Sequence, residues 1–68
     1  MITEQQSSVQ IEDSVDQRLY RIEYTVSQAR RLLVRGEFTK ALFEAESAAA
    51  EMRSAINLLQ VLEDRELP

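Results

Sequence analysis

Apolar residues recur through this chain in alternating steps of four and three, and the run breaks once, at Gly36, the only glycine. From Val15 it passes Leu19, Ile22, Val26, Ala29 and Leu33. After the break it passes Phe38, Leu42, Ala45, Ala49, Met52, Ile56 and Leu59. Steps of this kind draw one stripe along an α-helix and form the seam of a helix packed lengthwise on another. No β-branched run alternates over four or more positions, so no strand is expected. The pattern predicts an all-α fold of two helices.

The boundaries follow from local chemistry. Residues 1–10 are rich in Gln, Ser, Thr and Glu and read as a flexible lead-in, with residues 11–68 as a single helical hairpin. Ser14 with Gln17 fits a capping box, and Ser7 with Gln10 fits one equally well. Asp13 and Asp16 at one end, with Arg30, Arg31 and Arg35 at the other, suit the dipole of a helix over about residues 13–35. Gly36 then supplies a left-handed residue to end it. The second helix is expected over about residues 38–63. So short a connection forces an antiparallel two-helix hairpin, an αα-hairpin. Ala45 and Ala49 are expected to let the backbones approach at mid-hairpin, with larger residues filling the two ends.

Composition narrows the functional classes. With no His and no Cys among 68 residues, a Ser-His-Asp or Cys-His centre and the usual zinc ligands are ruled out. Nothing places an activated nucleophile beside a base, so the chain is expected to be no enzyme and to carry no cofactor or metal. Glu44, Glu46 and Glu51 read as a solvated face of the second helix. A formal charge of −4 argues against nucleic-acid binding. No stretch approaches the roughly 20 apolar residues of a membrane span, and no targeting segment is visible. The expectation is a soluble, cytoplasmic protein with no membrane partner.

Two short helices cannot bury all the apolar residues present. Tyr20, Tyr24, Leu32, Val34, Phe43, Leu58, Val61 and Leu62 fall off the seam. The hairpin is therefore expected to complete its core with a partner chain. Tyr20, Tyr24, Phe43, Leu58, Val61 and Leu62 are the expected partner-binding residues, while Leu19, Ile22, Val26, Ala45, Ala49, Met52 and Ile56 hold the hairpin. A homodimeric four-helix bundle would cover the same surplus by self-association, so a homodimer of the chain when alone is an alternative.

Three resemblances bear on the role. Gly36-Glu37-Phe38-Thr39-Lys40-Ala41 echoes the turn of a tetratricopeptide half-repeat, present in a single copy. Arg18-Leu19-Tyr20-Arg21-Ile22-Glu23 resembles the opening of the copper- and formaldehyde-responsive repressors. That family's first metal-binding cysteine would fall at Thr39, so only a metal-independent helical transcriptional regulator remains as a reading from it. The most extensive resemblance starts at Ala29-Arg30-Arg31-Leu32-Leu33-Val34-Arg35-Gly36. This segment resembles the end of the first helix in the small co-chaperones of type III secretion needle proteins (the YscE/PscE type). The likeness runs ungapped to about residue 64, with Leu42, Met52, Ile56, Leu58, Leu59 and Leu62 at that family's aromatic or aliphatic positions. It implies a non-enzymatic hairpin paired with a tetratricopeptide-like chaperone. Through that chaperone the pair would keep a needle subunit unpolymerised in the bacterial cytoplasm.

Overall fold

The computed structural model describes residues 7–66. Helix α1 spans Ser8–Val34 and helix α2 spans Phe38–Glu66. No strand occurs among the described residues. Of the two capping boxes the sequence offers, Ser7 with Gln10 is the one formed. The Gln10 backbone N–H donates to Ser7 Oγ at 3.1 Å, and the Ser7 N–H donates to Gln10 Oε1 at 3.0 Å. Helix α1 thus begins well before residue 13, and residues 8–10 of the expected lead-in are helical. Residues 1–6 of that lead-in lie outside the described residues. The extension is held by Ile11, which is buried and continues the stripe one step ahead of Val15. Asp13 and Asp16 consequently sit inside the helix, and the first turn carries no acidic residue.

The turn is a Schellman motif. The Gly36 N–H donates to the Leu33 carbonyl at 3.0 Å and the Glu37 N–H to the Leu32 carbonyl at 2.9 Å. Gly36 has φ +77°, the conformation in which an L side chain is strained. The Glu37 carbonyl then accepts the first bond of α2, from the Ala41 N–H at 3.0 Å. The Glu37 carboxylate sits at that helix's positive end and reaches Lys40 Nζ at 3.1 Å and Arg35 Nε at 3.5 Å.

The helices return antiparallel. Arg65 Nη1, in the last turn of α2, donates to Ser8 Oγ in the first turn of α1 at 3.2 Å. Near the middle, Arg18 of α1 meets Glu51 of α2. Helix α2 runs past residue 63 to Glu66 because the early start of α1 gives its last turn a neighbour.

The core is a single thin layer of Ile11, Val15 and Ile22 from α1 against Ala48 and Ala55 from α2. The hairpin measures 53 × 25 × 14 Å. The short dimension is little more than one helix with its side chains, so among the described residues no second layer covers either broad face.

The seam of α2 differs from the expected one. Its residues towards α1 are Ala41, Glu44, Ala48, Glu51, Ala55, Leu58 and Leu62, all buried or half-buried. This is a second four-and-three series, set one residue before the stripe Leu42, Ala45, Ala49, Met52, Ile56 and Leu59. One residue is a turn of about 100°, so the larger aliphatic stripe faces outwards. Two features explain the choice. Alanine at 41, 48 and 55, every seventh residue, allows Ile11, Val15 and Ile22 to pack close to the α2 backbone. Arg18 also lies within the α1 seam, between Val15 and Ile22, and this rotation brings Glu51 to it. Facing the aliphatic stripe, the same guanidinium would be desolvated without a carboxylate.

Candidate protein-binding face

With the alanine series turned inwards, α2 shows solvent a complete heptad stripe. Phe38 is 65% exposed, Leu42 58% and Ile56 46%, and Met52 and Leu59 are also exposed. Helix α1 adds a parallel row in which Val26 and Leu33, seven residues apart, are both exposed. Near the turn the two rows enclose an open apolar groove of ≈ 490 Å³. Val26 and Leu33 form one lip, Phe38 and Leu42 the other, and Ala41 and Ala45 lie between. The groove exists because small residues on α2 leave space between larger ones on both helices. Its polar margin includes Arg30. A contiguous apolar surface of this kind on so small a chain makes this side the candidate interaction face.

The opposite edge of the helix pair is polar. Arg18 Nη1 lies 3.2 Å from Glu51 Oε1, and Arg21 Nη2 lies 3.9 Å from Glu51 Oε2. Glu44 and Glu51 are half-buried at the helix–helix boundary rather than on a solvated face, whereas Glu46 is exposed. Arg18 Nε is buried without a hydrogen-bond partner, so the guanidinium is only partly satisfied. Among the described residues, no three acidic side chains converge as a cation site.

The six expected partner-binding residues do not share one surface. Tyr20 and Tyr24 are both strongly exposed. Each lies two residues from Ile22, about 200° round α1, so the pair stands on the side away from α2. Phe43 and Val61 are exposed on one side of α2, eighteen residues or about 27 Å apart. That side is turned away from the Leu42–Ile56 stripe. Leu58 and Leu62 are half-buried in the seam.

The residues expected to hold the hairpin divide similarly. Ile22 is buried and Leu19 half-buried, but Val26, Ala45, Ala49, Met52 and Ile56 are exposed. The outward stripe was visible as a pattern, yet hydrophobicity alone pointed it inwards. The signal for its true direction is Arg18 within the α1 seam, which requires an acidic residue opposite.

Comparisons of the chain with protein-family models, with characterised proteins and with solved structures returned no match. No helix among the described residues is long and apolar enough to cross a membrane. What the fold and the face define is a class: a two-helix hairpin with an uncovered apolar side.

Proposed function

We propose that this chain is a non-enzymatic co-chaperone that works by burying its open apolar face against a larger helical protein. The observation that carries the reading is the uncovered groove between Val26 and Leu33 on α1 and Phe38 and Leu42 on α2. An amphipathic helix laid in such a groove would be gripped at helical spacing by both rows. The resemblance over residues 29–64 supplies the setting. The partner is a tetratricopeptide-like chaperone of a bacterial type III secretion system, and the pair holds a needle subunit unpolymerised in the cytoplasm.

The exposed stripe supports this reading on physical grounds. Among the described residues, five buried apolar side chains, two of them alanines, are a small core for two helices of 27 and 29 residues. A partner that covered Phe38 and Leu42 would add the missing layer and stabilise the hairpin by mass action. The test is co-expression with the tetratricopeptide-like chaperone and the needle subunit of the same organism. A soluble ternary complex that Leu42→Glu disperses is the expected result. Failure of the chain to co-purify with the chaperone, with the needle subunit equally soluble in its absence, would overturn the proposal.

A further inference from the structure

We infer that the stripe on α2 is also self-complementary, and that a second copy of this chain covers it in an antiparallel, two-fold symmetric pairing of the α2 helices. The inference does not rest on the co-chaperone reading. It comes from how side-chain size and charge are ordered along the exposed side of α2.

Run antiparallel against itself, the stripe has a register in which small residues meet large ones. Ala45 lies opposite Ile56 of the second copy and Ala49 opposite Met52, while Leu42 meets Leu59, large against large, at the two ends. The two-fold axis repeats each pair in reverse. Facing small with large is the arrangement that fills an interface without voids. All six residues are exposed in the hairpin, so the pairing needs no rearrangement of the existing core.

Charge points to the same register. The solvent-side flank of the stripe carries Glu46 and Arg53, seven residues apart and both exposed. Neither makes an ion pair within the described residues. In the pairing above, Glu46 of each copy comes beside Arg53 of the other, twice per dimer, as at the flanking positions of antiparallel coiled coils. The other flank is Ala41, Ala48 and Ala55, already turned to α1. Val26 and Leu33 of α1 lie on the same side as the stripe. The second copy's α2 would therefore cover them too, closing a four-helix arrangement.

The experiment measures the mass of the full chain by sedimentation equilibrium over a dilution series. It is run for wild type, Glu46→Arg, Arg53→Glu and an equimolar mixture of the two variants. Each variant alone sets like charges opposite each other twice and is expected to raise the dimer dissociation constant about tenfold. In the mixture both contacts become attractive, and dimer is expected to return to the wild-type level as a heterodimer. Helicity by circular dichroism should match wild type at dilutions where all are monomeric, because both side chains stand in solvent in the hairpin. A wild-type chain that is monomeric at every concentration overturns the inference. So does a dimer in which the mixture associates no better than either variant. A second copy and the chaperone would compete for Leu42, so needle-subunit capture is read separately, from co-purification.

Discussion

Arg18 and Glu51 join the two helices from inside their seam, Nη1 to Oε1 at 3.2 Å, with each side chain about two-thirds buried. The pair sets the rotation of α2. It needs a carboxylate at a seam position, and the alanine series is the one that includes Glu51. Arg21 approaches the same carboxylate from the exposed edge at 3.9 Å. Removing Glu51 therefore leaves two guanidinium groups without their acid, one of them partly desolvated. Glu51→Gln is expected to destabilise the hairpin by about 1–2 kcal/mol, and Arg21→Gln by less than about 0.5 kcal/mol. Urea denaturation followed by circular dichroism gives both values. Equal effects would show that the half-buried contact is no stronger than the exposed one.

The turn yields a cleaner number, because packing does not enter it. A methyl group added at Gly36 would meet nothing within 4 Å, yet the backbone there has φ +77°. Any loss on substitution is therefore conformational. Gly36→Ala is expected to lower stability by about 1 kcal/mol, and Gly36→Asn by less, since asparagine tolerates the left-handed region. Thermal denaturation of the two variants orders them. An alanine variant as stable as wild type would mean that the turn has moved to another conformation.

Alanines 49 and 55 look interchangeable in the sequence and differ sharply in the fold. Ala55 is 0% exposed between the helices, whereas Ala49 faces solvent. Leucine at 55 has no room without separating α1 from α2, so Ala55→Leu is expected to cost about 1–3 kcal/mol. Ala49→Leu is expected to change the stability of the monomer by less than about 0.5 kcal/mol. The comparison reads which alanine series faces α1. The opposite order would restore the seam first suggested by hydrophobicity.

The hairpin itself was legible because its signals are local. Gly36 between two four-and-three stripes leaves little choice of architecture, and α2 begins at Phe38 as expected. The start of α1 was ambiguous for an equally local reason. Ser7 and Ser14 each have a glutamine three residues on, and only the burial of Ile11 decides between them. The rotation of α2 was not legible from hydrophobicity. Two periodic series one residue apart compete there, and the more apolar one lost. The deciding term is tertiary: a charged residue in the facing seam and the close approach that alanine allows. The candidate face is hidden from the sequence for the same reason, since hydrophobicity alone places its residues in the interior. Tyr20 and Tyr24 are exposed off the seam, on the side of α1 away from the groove.

Ile22 and Ile56 were both expected to hold the hairpin, and they test the corrected division most directly. Ile22 is buried at 7% exposure, whereas Ile56 is 46% exposed on the outward stripe. A carboxylate at 22 would be desolvated against apolar neighbours, and Arg18, one turn away in the seam, is already held by Glu51. Ile22→Glu is expected to cost about 3 kcal/mol or more, which is enough to unfold so small a domain. A carboxylate at 56 would stand in water on a helix surface. Ile56→Glu should therefore keep wild-type helicity at dilutions where the chain is monomeric. It should nevertheless lose association, because the charge would be buried by whatever covers the stripe. Circular dichroism at low concentration, paired with light-scattering mass at high concentration, separates the two effects. Loss of helicity in the dilute Ile56→Glu chain would place that side chain back inside the hairpin and remove the outward face.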